Sequence, residues 1–245
     1  MDVFEALYTT RAMRRVKEDP IPEEIIKVMV DAAIRAPSGS NRQDWKFLVA
    51  TDPEVREKLG GVYRETWDYY IKEFYGDNPD LGASNVGDDD KAKQIVRISK
   101  SAGWLAENFH KVPAHFVIFS RNDPTGSSIF PAIWNLMLAG RAHGVGTCLT
   151  TVMSFKQKEA FEILGVPSDK GWNLSAVVTA GYPLGKWGVA ERNPVDEVTY
   201  LNKWGNSPEW RLEEPLWSYP LPITDSFLSI LNRAPRVSNP QPSDP

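Results

Sequence analysis

Two short segments near the N-terminus carry side chains suited to a single ligand. Arg11-Ala12-Met13-Arg14-Arg15 is a basic cluster that follows a short helix-forming stretch. Ala36-Pro37-Ser38-Gly39-Ser40-Asn41-Arg42-Gln43-Asp44-Trp45 is a polar loop between an expected helix and an expected strand. Guanidinium forks match phosphate oxygens two at a time. The loop offers backbone N–H groups and short hydroxyl and amide side chains to a flat polar ring. Together the two segments suggest a phosphorylated, ring-bearing cofactor. Each alone is a weak signal, because charge runs are usually solvated faces and such loops are often plain helix-to-strand turns. A third element strengthens them: Gly181-Tyr182-Pro183-Leu184-Gly185-Lys186-Trp187 leaves the last expected strand, and Arg192-Asn193-Pro194 follows.

Other chemistries find no support. No G-x-G-x-x-G follows a strand, so a dinucleotide fold of that type is not indicated, and no phosphate-binding G-x-x-x-x-G-K-[ST] loop occurs. The three histidines, His110, His115 and His143, lack metal-ligand spacing, and no metal is expected. The single cysteine, Cys148, lies in an apolar strand and reads as a small buried hydrophobe.

The elements that must position these residues follow from apolar spacing. Asp2 caps a short helix from Val3 to Tyr8, and a second helix runs from Ile25 to Arg35, with Pro22 in its first turn. Trp45 to Ala50 has strand length, and Pro53 to Tyr75 carries a partly aromatic stripe at helical spacing. Gly76 to Asp90 has loop composition. Helix, strand, helix and strand then follow at Lys91 to Lys111, Ala114 to Ser120, Ile129 to His143 and Gly146 to Val152. A helix with Ser154 and Gln157 as a capping box precedes a last strand, Leu174 to Ala180. Strands separated by helices imply a central sheet with flanking helices. Ten of the 19 prolines lie from Pro183 onward, with Trp187, Trp204, Trp210 and Trp217, so an ordered extended arm is expected rather than a disordered tail.

The chain has 245 residues, 42% apolar and 24% charged, which suits one globular domain. Its net charge of −4 argues against nucleic acid or an anionic membrane as the main partner. The N-terminus lacks the apolar core of a signal peptide, and no apolar run approaches the ~20 residues that span a bilayer. A cytoplasmic protein is expected.

Arg-x-x-x-Arg at Arg11 and Arg15, Ala-Pro-Ser-x-x-Asn-x-Gln-x-Trp from Ala36 to Trp45, Gly-Tyr-Pro at Gly181 to Pro183 and Arg-x-Pro at Arg192 to Pro194 together resemble the nitroreductase family. The resemblance runs from about Phe4 to Asp196. It implies an α+β, nitroreductase-like fold, with a central mixed β-sheet flanked by helices and a C-terminal extension exchanged between subunits. It implies a homodimer with two FMN sites at the interface. The whole chain, 1–245, would then be one domain, with a variable lid at 54–90, an extended arm at 183–236 and a frayed tail at 237–245.

Residue by residue, the resemblance implies that Arg11 and Arg15 contact the phosphate and the polar edge of the flavin, with Arg192 completing the phosphate site. Ala12 and Met13 belong to the same cofactor-binding segment. Met13 stands where the family usually has Ser, Ala12 offers no side-chain contact, and Asp44 replaces the usual Pro before the Trp. Pro37, Ser38, Gly39 and Asn41 would reach the flavin from the other subunit. Leu149, Thr150 and Thr151 would lie along the ring, one of the threonines donating near N5. Gly181 would permit a close backbone approach. The family's chemistry is hydride transfer from NADPH or NADH through flavin N5 to a nitroaromatic or quinone acceptor, in a ping-pong sequence. No catalytic acid or base is required of the protein. Glu65, Trp67 and Tyr69 of the lid would contact the small aromatic electron acceptor. Two alternatives are a reductive dehalogenase of halogenated tyrosines and a protein that sequesters FMN without turnover. The dehalogenase reading expects a lid lysine at the position held by Ala106.

Overall fold

The computed structural model describes residues 1–76, 89–190 and 192–210. Four strands form its sheet: β1 (Trp45–Ala50), β2 (Ala114–Ser120), β3 (Gly146–Thr150) and β4 (Asn173–Gly181). All seven residues of β2 are buried. A strand apolar on both faces belongs in the middle of a covered sheet, and β2 lies between β1 and β4 in the order β1-β2-β4-β3.

Six helices accompany them among the described residues: α1 (Val3–Thr9), α2 (Glu23–Ala33), α3 (Pro53–Tyr75), α4 (Asp89–Asn108), α5 (Ile129–Ala142) and α6 (Gln157–Leu164). Local chemistry sets several of the ends. Asp2 accepts the N–H of Phe4 at the start of α1, and Asp52 accepts the N–H groups of Glu54 and Val55 at the start of α3. Alternation along β2 sends Phe116 and Ile118 into one core with Met29 of α2 and Ile133 and Leu136 of α5. Val117 and Phe119 face a second core with Leu59 and Tyr63 of α3, Leu105 of α4 and Phe161 of α6. The sheet is therefore covered on both faces, as an α+β fold of this kind requires.

All three described pairings are antiparallel, which corrects the expectation of a mixed sheet. The connection through α3 and α4 leaves and returns at one end of the sheet, since Ala50 pairs with His115. The connection through α6 likewise joins neighbouring antiparallel strands, with the last residue of β3, Thr150, paired to Val177 at the middle of β4. Only α5 crosses from end to end. It makes β2 and β3 run the same way, but β4 inserts antiparallel between them.

The capping box expected at Ser154 and Gln157 does not form. Val152–Lys156 is a 3-10 turn, Ser154 Oγ donates to the Thr151 carbonyl, and α6 begins at Gln157 without a side-chain cap. The Gln157 amide oxygen instead accepts the N–H of Leu174. The chain divides into two compact units, Met1–Trp187 and Gly188–Pro245. Of the loop expected from Gly76 to Asp90, Asp89 and Asp90 belong to α4, and residues 77–88, like the later part of the expected arm and the 237–245 tail, lie outside the described residues.

One buried ring gives a pH-dependent stability. His115 is fully buried, neither ring nitrogen has a hydrogen-bond partner among the described residues, and the ring stacks on Phe109 at 4.1 Å. Burial, with the nearby Arg56 charge, pushes its pKa down to about 3. The unfolded ring titrates near ~6.5. The unfolded chain thus binds a proton that the fold refuses. The stability is intact above ~6.5 and is lost progressively as pH falls toward the folded value. At pH ~5 the loss from this group is about 2 kcal/mol. Urea unfolding of His115→Leu should show that loss abolished between pH 7 and 5. An equal wild-type-to-variant gap at both pH values would contradict it.

Candidate active site

The arginine segment runs as an extended strip beside β3. The Met13 N–H donates to the Thr147 carbonyl at 2.8 Å, Lys17 donates to Tyr182, and Leu184 donates to Arg15. These bonds pin the strip between the edge of β3 and the chain leaving β4. Glycines make the fit possible. A Cβ on Gly146 would stand 2.8 Å from the Met13 Cβ, and one on Gly181 would stand 2.7 Å from Val16 Cγ2. At Gly181 the strip therefore packs directly on the glycine through the Val16 side chain. Met13 is buried, so its side chain packs in place of the hydroxyl that the family usually carries.

Arg11 and Arg15 are exposed, and neither pairs with a carboxylate among the described residues. The Arg15 guanidinium lies 5.6 Å from the Trp104 ring centroid. Ala12 is exposed between them. Arg14 turns inward, where its charge acts on Cys148 and Tyr63. Burial pushes the Cys148 thiol above its usual range, and Arg14 only partly opposes this. The cysteine is the buried hydrophobe that its apolar strand suggests.

β3 is an edge strand. Among the described residues the strip covers that edge at Thr147. Leu149 and Thr150 are half-buried beyond it, and Thr151 is exposed. Thr150 Oγ1 lies 3.1 Å from the Tyr63 hydroxyl and accepts the Val152 N–H at 3.3 Å. Tyr63 is held by stacking on Phe109 at 4.2 Å, and burial pushes its pKa up to about 12.

The Pro37 loop is built with backbone in the left-handed region. Ser40, Asn41 and Gln43 have φ of 52°, 51° and 51°, a conformation uncommon outside glycine. Hydrogen bonds hold it there: Gln43 N–H to Ser38 Oγ, Asn41 N–H to the Ser38 carbonyl, and Gly39 N–H to Ser128 Oγ before α5. Pro37, Gly39 and Asn41 are exposed, and Ser38 is half-buried. Asp44 braces the loop by accepting from Arg42, Arg121 and Asn122. The Asn122 and Arg121 hydrogen bonds hold its carboxyl below the usual range. A polar cavity of about 270 Å³ opens beside this loop, walled by Ser38, Gly39, Asp44, Arg121 and Ser128.

The two anchors stand at opposite ends of one chain's sheet. The arginine strip lies where β3 begins and β4 ends, and the Pro37 loop lies before β1 and at the start of α5. The 14 residues of α5 span ~20 Å at 1.5 Å per residue. One copy therefore does not bring both anchors onto one small ligand.

The residues expected to meet the acceptor lie on α3. Tyr69 is exposed and lies 6.0 Å from Phe155. Glu65 is exposed and pairs with Lys156 at 2.6 Å. Trp67 is half-buried and packs against the second core. Arg192 belongs to the second unit and is exposed. Tyr63 and Lys156 bond to the candidate site residues Thr150 and Glu65, which the sequence alone does not reveal. Their signal is tertiary, since each acts on a residue far away in the chain.

The sequence pattern of the nitroreductase family matches residues 7–182. The chain belongs to that family. It is 26% identical over 209 residues to an NADH dehydrogenase of Thermus thermophilus, covering 81% of this chain and 95% of the relative. It is 28% identical over 175 residues to an iodotyrosine deiodinase of Thermotoga neapolitana, covering 71% and 84%. Among solved structures, it resembles the FMN-dependent nitroreductase NfnB of Mycobacterium smegmatis, solved in complex with NADPH. The TM-score is 0.57 at 23% identity, over 81% of this chain and 97% of that one. No described helix is long and apolar enough to cross a membrane.

Proposed function

We propose that the protein is an FMN-dependent oxidoreductase that takes hydride from NADH or NADPH and passes it to a nitroaromatic or quinone acceptor by a ping-pong mechanism. The observation that carries this reading is the pair of exposed arginines held on a fixed strip beside the partly covered edge of β3. That donor set fits FMN: guanidinium groups for the phosphate and the electron-rich flavin edge, and strand-end N–H and hydroxyl groups for the ring. When bound, FMN supplies hydride acceptance and delivery. Arg11 and Arg15 bind and orient it, and Leu149, Thr150 and Thr151 line the ring.

The Pro37 loop then comes from a second copy, which makes the enzyme a homodimer. Supporting this, Phe130, Trp134 and Leu138 recur at i, i+4 and i+8 on α5, where Phe130 and Trp134 remain 41% and 39% exposed. Such a stripe is a natural subunit contact. An anaerobic titration tests the function: NADH or NADPH should bleach the bound flavin, and a nitroaromatic or quinone should reoxidise it. Flavin that neither nucleotide reduces would favour sequestration instead.

Tyr69→Ala should lower kcat/KM for nitroaromatics several-fold through lost stacking worth about 1 kcal/mol. It should leave FMN retention and flavin reduction at wild-type levels. Loss of FMN in this variant would make Tyr69 part of the scaffold.

One observation favours reductive dehalogenation as a second reading. Glu65, one helical turn before Tyr69 on α3, pairs with Lys156, whose neighbour Phe155 meets the Tyr69 ring, so a carboxylate and an ammonium stand together near an exposed tyrosine, a complement to a zwitterionic aromatic amino acid. This lysine comes from the turn before α6, while Ala106, at the position where that reading expects a lysine, is buried. Reoxidation of the reduced protein by a halogenated tyrosine, with halide release, distinguishes this reading from nitroreduction.

A further inference from the structure

Tyr63 carries a hydrogen-bonding constraint that its sequence position does not reveal. It is 2% exposed, and its only hydroxyl partner among the described residues is Thr150 Oγ1 at 3.1 Å. Distance alone leaves the direction of this bond open. Burial decides it. If Thr150 were the donor, the phenolic proton would be buried without an acceptor, a costly state. Tyr63 therefore donates to Thr150.

Thr150 Oγ1 also accepts the N–H of Val152 at 3.3 Å. A threonine hydroxyl has two acceptor lone pairs and one proton. Both lone pairs are taken, so the proton is all that Thr150 has left to offer. The Tyr63 ring cannot easily turn away, because it stacks on Phe109, which stacks in turn on His115.

We infer that Tyr63 is a positioning residue that forces Thr150 to present its hydroxyl to the ligand as a donor only. The inference rests on the proposed flavin reading and takes Thr150, of the two threonines along the ring, as the one beside N5. Oxidised flavin has an acceptor lone pair at N5, whereas fully reduced flavin carries an N–H there. An obligate donor thus favours the oxidised ring and holds the reduction potential down. Freed from Tyr63, the Thr150 hydroxyl can rotate and accept from the reduced ring.

The test is the flavin midpoint potential of the FMN-loaded protein. Tyr63→Phe should shift it upward by roughly a tenfold change in the oxidised-to-reduced ratio, which is ~30 mV for a two-electron couple. Thr150→Val should shift it in the same direction. Adding Tyr63→Phe to Thr150→Val should add no further shift, and Thr150→Ser should keep the wild-type potential. Urea unfolding provides a reading without flavin. Thr150→Val should destabilise the wild-type chain more than it destabilises the Tyr63→Phe variant, because only the wild-type chain is left with a buried hydroxyl without a partner. A Tyr63→Phe protein that retains FMN at an unchanged potential overturns this inference and leaves the proposed function intact. Failure of the wild-type chain to bind FMN overturns both.

Discussion

Arg15→Ala is expected to weaken FMN binding by about 1.5–3 kcal/mol, roughly 10- to 150-fold, and Arg11→Ala by a similar amount. Both side chains are exposed, and neither is engaged by a carboxylate among the described residues. Their removal therefore leaves no buried charge behind. Stability should stay within ~0.5 kcal/mol of wild type, as for ordinary surface substitutions. Arg14→Ala should behave differently, since that side chain is half-buried and its charge acts on Cys148 and Tyr63. Fluorescence titration of the flavin-free protein with FMN, paired with urea unfolding, separates the two cases. Unchanged affinity in both Arg11→Ala and Arg15→Ala would remove these residues from the site.

A mixed dimer should recover what each parent lacks. If each site takes its arginine strip from one subunit and its Pro37 loop from the other, Arg15→Ala and Asn41→Ala each damage both sites of their own dimer. When the two variants are co-expressed, the hybrid places both lesions in one site and leaves the other site wild type. The hybrid should bind one equivalent of FMN per dimer at wild-type affinity. The distance between the anchors along one chain, set by the length of α5 and by the sheet, makes this outcome a geometric consequence. A hybrid no better than its parents would mean that both anchors serve sites within one copy, or that one anchor serves no site.

Much of the fold is legible locally. The bounds of β1, α3 and β2 fall where apolar runs and end signals place them. Trp45 to Ala50 is a short apolar run, Asp52 caps and Pro53 opens α3, and Gly76 with positive φ ends it. The sheet's pairing is not legible in this way. The resemblance implies a mixed sheet, and only the antiparallel insertion of β4 beside β2 removes the parallel pairing. Gln157 shows the same limit on a smaller scale. Its sequence offers a capping box, but the distant Leu174 N–H takes its side chain. In the site, residue types and spacing pick out the strip and the loop, but not that they stand at opposite ends of the sheet. Asp44 is visible in the sequence as a departure from the family pattern. Its reason is the fork of Arg121 and Asn122, which arrives from the end of β2.

The central claim is that FMN sits between two copies of this chain. Native mass spectrometry of the purified protein, with release and identification of its chromophore, tests it most directly. The expected species is a dimer carrying two FMN molecules. A monomer that retains FMN, a dimer that carries FAD, or a dimer that takes up no flavin would contradict it.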